Sequence, residues 1–190
     1  MRRYIPNGIL TIPKNAELVF VGKIFNVYQW PQKLYDGTIE TFEMLSRKDT
    51  VKVIAIKDNK VIITRQKQPR KEWFYDFPGG RNDAPEEDEL DAAKREMLEE
   101  TGMTFNTWKL IEVHQPFAKI DWLVYTFIAN DFISQETQKL DGGEKIEVKE
   151  VSLDELKNLS KTEERLAKCA YIDAATKIED FLNIPAIYNY

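Results

Sequence analysis

The stretch EEDELDAAKREMLEETGM, residues 86–103, predicts the helix around which the fold is built. Pro85 suits an early helical position, because its missing N–H would have no partner there. Asp83 can cap the start of the helix, and Gly102 suits the position just past its end. The sequence therefore predicts a helix over about residues 86–101.

This helix concentrates negative charge towards its C-terminal end. Placed about 100° apart, four of its glutamates share one arc roughly 100° wide. They are Glu89, Glu96, Glu99 and Glu100. Side chains three and four residues apart repel each other here, and the helix dipole disfavours carboxylates in the last turns. Either this is a solvated surface, or the arc binds a hard divalent cation such as Mg²⁺, which takes oxygen ligands.

The apolar positions of the same helix indicate the face that packs on the core. They are Leu90, Ala93 and Met97. Because they fall together on the helical wheel, next to the acidic arc, the helix is expected to bury one side and to present its carboxylates at the margin of that side.

The stretch resembles the signature of the Nudix family, G-x(5)-E-x(7)-R-E-U-x-E-E-x-G-U, in which U is aliphatic. The second half is complete in REMLEETGM, residues 95–103. Glu87 lies eight positions before Arg95, as the pattern requires, whereas Gly80 lies seven before Glu87 instead of six. We place the extra residue in the loop RNDAPE, because loops tolerate insertions better than helices do. The alternative assigns Glu86, which keeps the glycine spacing and loses the spacing to the arginine.

The likeness extends to the ADP-ribose pyrophosphatase and nucleoside diphosphate sugar hydrolase branch of that family. VIITRQKQPR and WFYDFPGG are similar to its strand and loop before the signature, with Gln68, Arg70 and Asp76 at the matching positions. The resemblance implies an α/β fold, an α/β/α sandwich with a mixed central sheet. A small antiparallel N-terminal β segment, residues 1–47, would precede a Nudix domain over 48–190, and members of the branch pair as homodimers through such segments.

The resemblance implies hydrolysis of a nucleoside diphosphate linked to another moiety, with Mg²⁺ or Mn²⁺ as the metal cofactor. The implied metal ligands are Glu96, Glu100, Glu99 and the carbonyl of Gly80. Metal ions neutralise diphosphate charge and lower the pKa of a bound water. Arg95 and Glu87 are expected to orient the loop and the carboxylates. An ordinary helical ion pair is the plainer interpretation of those two residues.

A general base is expected from the loop KLDGGEKIE, residues 139–147. It contains Asp141, Glu144 and Glu147, and we favour Glu144 because it directly precedes a predicted strand. A solvated polar loop is the alternative for each of the three acids. His114 is not required by this chemistry.

Arginine and aromatic side chains are the candidates for substrate contacts. Arg70 and Arg81 can present a bidentate fork to phosphate or ribose, although each can equally be a surface arginine. Trp30 can stack on a base, as can Tyr35 and Trp73, but aromatic residues in strands more often belong to the core.

One region departs from the branch. Its members carry a longer loop with a glutamate after the signature helix, whereas residues 114–127 are the compact HQPFAKIDWLVYTF. The substrate therefore stays open: ADP-ribose leads, followed by other nucleoside diphosphate sugars, dinucleoside polyphosphates and nucleoside triphosphates. A non-catalytic Nudix-like module that senses a nucleotide is the alternative function. Such modules typically lose signature glutamates, so the complete REMLEETGM favours the enzyme.

Outside the signature, the pattern alternates strands with polar turns. TVKVIAI and KVIITRQ flank the turn KDN and predict a hairpin. Ser152 and Glu155 form a capping-box signature for a short helix. The last predicted helix covers 162–182. Its expected core positions are Leu166, Ala170, Ala174, Ile178 and Phe181.

Composition limits the partners. The chain has 190 residues and a formal net charge of −5, and no basic run suggests binding to nucleic acid. No window approaches the roughly eighteen apolar residues of a membrane span, and no signal peptide precedes the first strands. With a single cysteine, Cys169, the sequence favours a reducing compartment. We therefore expect a cytoplasmic protein that binds a small nucleotide.

Overall fold

The computed structural model describes residues 2–84, 86–188 and 190. This part of the chain contains ten strands and five helices, with α1 between β6 and β7 and the other four helices after β10. The strands are β1 Glu17–Val21, β2 Asn26–Lys33, β3 Ile39–Ser46, β4 Thr50–Lys57, β5 Lys60–Lys67, β6 Phe74–Asp76, β7 Met103–His114, β8 Ile120–Asp121, β9 Val124–Gln135 and β10 Lys145–Val151. The helices are α1 Glu89–Thr101, α2 Leu153–Ser160, α3 Glu164–Ala167, α4 Ala170–Ala174 and α5 Glu179–Asn183.

The strands form two sheets. A four-stranded sheet has the order β1-β2-β3-β8, with β1, β2 and β3 antiparallel and β8 parallel to β3. The second sheet has the order β10-β5-β4-β9-β7, and β6 also pairs with β5. Only β4 and β9 run parallel in it, so the sheet is mixed. The predicted antiparallel N-terminal segment thus exists, and the short β8 ties it to the rest of the chain.

The alternating directions of the side chains along β4 explain why helices pack on both faces of the mixed sheet. Val51, Val53 and Ala55 lie in a core cluster with Ala93 and Met97 of α1. The intervening Ile54 and Ile56 lie in another cluster, which includes Leu156 of α2 and Phe181 of α5. Successive side chains of a strand point to opposite faces, so helices cover both sides of the mixed sheet. The α/β/α sandwich expected from the sequence is therefore confirmed.

The hairpin of β4 and β5 closes as its sequence predicts. Asp58 and Asn59 have φ angles of 49° and 57°, the left-handed values of a two-residue hairpin turn. Beyond this turn the two strands soon separate. Residues 60–62 of β5 pair with β4, whereas residues 64–66 pair with β6. This separation opens one end of the sheet.

The signature helix starts later than the sequence predicts. Asp88 caps α1, and its carboxylate accepts the N–H groups of Leu90 and Asp91 at 2.8 and 2.9 Å. The predicted cap Asp83 and the start at residue 86 are wrong, because Glu86 has a φ of 60° and cannot continue a right-handed helix. The prediction for Pro85 falls outside the described residues. At the other end Gly102, with φ 72°, terminates the helix as expected.

The single helix predicted over 162–182 is also wrong, because the segment folds as α3, α4 and α5. The backbone is extended at Ala175, and the carboxylate of Asp180 accepts the N–H groups of Thr176 and Lys177 at 2.7 and 3.1 Å. Such local side-chain bonds compete with helical ones. The helical spacing therefore misplaced Ala170 and Ala174, which are exposed, while Leu166, Ile178 and Phe181 are buried.

None of the helices in the described part of the chain combines the length and apolar character that crossing a bilayer requires. The longest of them, α1, has 13 residues.

Candidate active site

A cavity of about 600 Å³ opens where β4 separates from β5. Most of its lining comes from three parts of the chain: the segment Asp76–Arg81 beside β4, the C-terminal half of α1, and the loop before β10. Val53 donates its N–H to the carbonyl of Pro78, and Val51 to the carbonyl of Gly80, both at 2.9 Å. Backbone hydrogen bonds therefore hold the glycine pair against the edge that β5 has left.

The acidic arc of α1 forms one wall of this cavity. Glu96, Glu99 and Glu100 all line it. Glu89 lies two turns earlier and has another role: it is fully buried, and its carboxylate accepts the backbone N–H groups of Arg3 and Tyr4 at 2.9–3.1 Å. Three of the four glutamates on the predicted arc thus meet at the cavity.

Arg95 organises these carboxylates. It donates from Nη1 to Glu96 and to Glu99, each at 2.9 Å, and from Nε to Glu87 at 2.8 Å. Its Nη2 also donates to the carbonyl of Arg81 at 2.8 Å. These contacts raise the pKa of Arg95, the hydrogen bond to Glu87 most of all. Arg95 therefore joins the helix to the loop, which is a positioning role.

These contacts also support the predicted register of the signature. Glu87, eight residues before Arg95, is the acid that pairs with it, whereas Glu86 is exposed. Since α1 starts only at Glu89, the extra residue lies in the loop ahead of the helix.

The glycine pair forms the wall opposite the arc. Gly79 donates its N–H to Glu100 at 2.9 Å. A Cβ on Gly80 would stand 2.5 Å from the carboxylate of Glu96, so only a residue without a side chain lets this backbone lie against Glu96. Gly79 itself has a φ of 149°, and a Cβ there would meet the carbonyl oxygen of Val51 at 2.1 Å.

Burial changes the acid–base properties of this wall. It raises the pKa of Glu96 to about 7, even though Arg95 acts in the opposite direction. It raises the pKa of Glu100 well above the usual range for a glutamate, and the N–H of Gly79 offsets this only in part. The site therefore holds more buried carboxylate than its own cations neutralise.

The loop before β10 adds further acids. Glu144 and Asp141 both line the cavity, and burial together with the charge of Asp141 raises the pKa of Glu144. Glu147 is part of β10 instead, and contacts Lys149 at 3.1 Å and Arg65 at 3.4 Å. Two of the three candidate bases are thus placed at the cavity, and Glu147 is not.

Only some of the predicted substrate contacts lie at the cavity. Arg81 lines the cavity, and its Nη2 lies 3.4 Å from Asp83. Arg70 and Trp30 are not among the lining residues. Trp30 lies on β2, where its ring centroid is 6.3 Å from that of Phe42 and its Nε1 donates to Gln32. The assignments of Arg70 and Trp30 stay predictions.

Besides Lys139 of the loop before β10, three cations at the cavity were not singled out from the sequence. Lys52 and Arg165 both contact the buried carboxylate of Asp76, at 3.0 and 2.7 Å. The third is Arg47, directly after β3. Arg165 is far from Arg47 and Lys52 in the sequence, and it belongs to the segment that was predicted to be one long helix. Only the tertiary structure brings these residues together.

The donor set fits a hard divalent cation by chemistry, since buried carboxylates with raised pKa values favour a compensating positive charge. Among the described residues, however, no three acidic, histidine or cysteine side chains are already arranged to bind a metal. Arg95 already takes one oxygen of Glu96 and one of Glu99. A cation would share these oxygens with Arg95 or displace it from them.

Comparisons with known proteins agree with this geometry. A family model described as NUDIX domain matches residues 46–170. A curated relative, the ADP-ribose pyrophosphatase of Bacillus subtilis (strain 168), is 32% identical over 160 residues, which cover 82% of this chain and 86% of the relative.

Two solved structures are similar as well. One, described as an ADP compounds hydrolase, has a TM-score of 0.67 at 19% identity, over 90% of this chain and 92% of the other, and therefore supports the fold alone. The other, a NUDIX hydrolase from Nitrosomonas europaea, has a TM-score of 0.55 at 26% identity, over 68% of this chain and 90% of its own.

The glycine pair gives a first prediction, because its two members should respond differently to alanine. Gly79→Ala combines a positive φ with a clash against backbone, so we expect the free energy of unfolding to fall by at least about 2 kcal/mol. In Gly80→Ala the clash is with the movable carboxylate of Glu96, so we expect a loss under about 1 kcal/mol. Urea unfolding measures both. Equal losses would contradict the assigned contacts.

Proposed function

We propose, from the premise that this chain belongs to the Nudix family and is a Nudix diphosphatase, that it hydrolyses ADP-ribose to AMP and ribose 5-phosphate with Mg²⁺. The observation that carries the proposal is the cavity in which Glu96, Glu99 and Glu100 face the backbone of Gly79 and Gly80. ADP-ribose is chosen because the relative with 32% identity is an ADP-ribose pyrophosphatase.

The carboxylates of α1 would hold the metal. Glu96, Glu100 and Glu99 are the proposed ligands, together with the carbonyl of Gly80, which also accepts the N–H of Val51. When bound, Mg²⁺ would neutralise the diphosphate and acidify a water molecule. Mn²⁺ is the alternative, since it accepts the same oxygen ligands.

Glu144 is the proposed general base. It faces the cavity, and its raised pKa brings it closer to the working range of a base near neutral pH. It would take a proton from the water that attacks phosphorus, while the bond from that phosphorus to the bridging oxygen breaks. Arg95 keeps Glu96 and Glu99 in place during this step, and Arg81 is positioned to contact the substrate.

There are two alternative functions: a hydrolase with another substrate, and a module that binds a nucleotide without cleaving it. Another nucleoside diphosphate sugar or a dinucleoside polyphosphate would use the same carboxylates, and the size of the cavity does not distinguish these compounds. A nucleotide-sensing module would bind without cleavage. The intact network of Arg95 and its three glutamates favours an enzyme.

A substrate panel tests the function. With Mg²⁺, wild-type protein should release AMP from ADP-ribose faster than from ADP-glucose, GDP-mannose or diadenosine polyphosphates. Glu100→Gln should lower kcat/KM by about 10²- to 10⁴-fold, because several kcal/mol of transition-state stabilisation depend on the ligand set. Glu86→Gln, at an exposed position of the neighbouring loop, is the matched control and should keep full activity. If no compound is cleaved with either Mg²⁺ or Mn²⁺, the chain is not a working diphosphatase.

A second pair of variants tests the base. Glu144→Gln should lower kcat by roughly 10²- to 10⁴-fold with little change in KM, because it removes proton transfer and keeps the shape of the side chain. Glu147→Gln makes the same chemical change three residues away, where the side chain contacts Lys149 and Arg65, and should stay within about twofold of wild type. Steady-state kinetics at saturating Mg²⁺ measures both. A larger loss in Glu147→Gln would reassign the base.

We also propose that the chain forms a homodimer through its N-terminal sheet. Leu18, Val19, Phe20 and Val21 are consecutive on the edge strand β1 and are 44%, 45%, 59% and 70% exposed, so apolar side chains continue along this edge. Such a surface is more often an interface than a free face.

Sedimentation equilibrium should therefore give about twice the chain mass of 22.2 kDa. Val21→Lys should shift the protein towards monomer, because a charged side chain in an apolar interface is unfavourable. Lys33→Ala, at the far end of β2, is the control. A monomer at micromolar concentration would overturn the dimer.

A further inference from the structure

Arg2 is a largely buried cation outside the cavity, and the proposed function assigns it no role. It lies in the segment before β1 and contacts Asp49, directly before β4, and Asp121 of β8. We propose that Arg2 is a positioning residue: through Asp49 it fixes residues 81–83, the Arg81 loop, which carries Arg81 to the substrate. This inference rests on the proposed function and adds to it a residue that acts through Arg81.

Arg2 holds Asp49 with two nitrogens of its planar guanidinium. Its Nε donates to Oδ2 of Asp49 at 2.5 Å and its Nη2 to Oδ1 at 2.7 Å, while Nη1 donates to Asp121 at 2.6 Å. Burial alone lowers the pKa of Arg2, but the hydrogen bonds to the two carboxylates raise it above the usual value. Bidentate pairs of arginine and carboxylate are strong and fix the geometry of both partners. Arg2 therefore sets the orientation of Asp49.

Asp49 connects this ion pair to the Arg81 loop. It is 7% exposed, and its Oδ1 also accepts the N–H of Leu123 at 2.8 Å. Its carbonyl accepts the N–H of Asn82 at 2.9 Å, and the next residue, Thr50, pairs with Arg81 in an isolated β-bridge. The carboxylate and the carbonyl belong to one residue, so a displacement of the buried side chain also moves the acceptor of Asn82.

A second anchor holds the same loop from the side of the cavity. Nη2 of Arg95 donates to the carbonyl of Arg81 at 2.8 Å. Arg95 also binds Glu96 and Glu99, so this anchor keeps the loop in register with the proposed metal ligands. The pair of Arg2 and Asp49 anchors the loop at Asn82, outside this network. Removing Arg2 therefore weakens the hold on the loop without touching the carboxylates of α1.

The side chain of Arg81 depends on the backbone that carries it. It is 52% exposed, and its Nη2 lies 3.4 Å from Asp83, which belongs to the same loop. An exposed ion pair of this kind does little to fix a long side chain. The backbone of the loop therefore determines where Arg81 meets the substrate, and small displacements of such a group lower affinity and rate.

A purely structural role of Arg2 predicts a different pattern of effects. Arg2 also joins the two sheets, because Asp49 directly precedes β4 of the mixed sheet and Asp121 belongs to β8 of the four-stranded sheet. Removing one partner of a buried ion pair is strongly destabilising. A loss of stability is therefore expected in both cases, and only an effect that acts through the Arg81 loop distinguishes them.

Binding without turnover tests the proposal. The probe is α,β-methylene ADP, whose diphosphate has a carbon bridge that water does not cleave. It is titrated calorimetrically with Mg²⁺, at a temperature at which circular dichroism shows every variant folded. Arg2→Met should weaken binding by about 3- to 30-fold, and Arg81→Met by about 10- to 100-fold. In the Arg81→Met background, Arg2→Met should change the affinity by less than about twofold, because the contact through which it acts is already lost. Additive losses would overturn the proposal.

Arg3 provides the matched control. It is the next residue of the same segment, and its Nη2 lies 2.5 Å from the carboxylate of Asp88, the cap of α1, instead of Asp49. Arg3→Met removes the same charge and should bind the probe within about twofold of wild type. An equal loss in Arg2→Met and Arg3→Met would show that the charge of the segment matters and not the route through Asp49, and would contradict the proposal.

Hydrogen exchange locates the effect within the fold. The N–H of Asn82 is protected by the carbonyl of Asp49, so Arg2→Met should raise its exchange rate by about tenfold or more. The N–H of Ala92, which is bonded to the carbonyl of Asp88 within α1, should keep its wild-type rate. A rise of the same size at both amides would reflect an overall loss of stability and would refute a positioning role.

The remaining outcomes separate this inference from the proposed function. Wild-type affinity in Arg2→Met overturns the inference even if the protein cleaves ADP-ribose. A wild-type protein that does not bind the probe overturns it as well, because Arg81 then has no ligand to meet. Should Arg2→Met not fold, Arg2→Lys decides: it keeps the charge without the fork, and wild-type affinity in it would contradict the bidentate contact. If the affinities follow the expected pattern and no diphosphate is cleaved, the proposed function alone fails.

Discussion

The buried negative charge of α1 is the constraint on which the site depends. Glu96 and Glu100 are four residues apart and partly or fully removed from water, in the half of the helix whose dipole also disfavours them. Isolated buried charges are costly, so their neighbours must compensate them. Arg95 and the N–H of Gly79 do so in part. The raised pKa of both acids indicates that the compensation is incomplete, so a further positive charge at the site would be favourable.

The topology of the sheet supplies the rest of this compensation. If β4 and β5 paired along their whole length, β5 would occupy the edge of β4 to which the segment 78–80 binds. Because β5 turns to β6 after residue 62, Val51 and Val53 can bind that segment instead. Its glycine backbone then meets the carboxylates of α1 at hydrogen-bond distance. A local change of strand partner thus creates the cavity and one of its walls together.

The sequence predicted the parts of the fold that depend on short-range patterns. The β4–β5 hairpin and the position of the acidic arc depend on turn residues and helical spacing, which are local, whereas the sandwich was expected from the resemblance to the Nudix family. The start of α1 and the break-up of the last helix were missed, because Asp88 and Asp180 each make local hydrogen bonds that residue type alone does not distinguish from those of other acids. Arg47 was missed for a different reason, since its significance comes from contacts between residues far apart in the sequence.

The distribution of charge in the cavity explains why an acidic protein can accept an anion. Five of the lining carboxylates come from α1 and the loop before β10, while Arg47, Arg81, and the pair of Lys52 and Arg165 lie on the other walls, beside Asp76 and Asp83. Asp76 neutralises only one of the latter two cations. A diphosphate with a divalent cation carries both signs of charge and matches such a divided cavity, whereas an uncharged ligand would leave both poles uncompensated. The net charge of −5 therefore describes the chain as a whole and not the environment that the substrate meets.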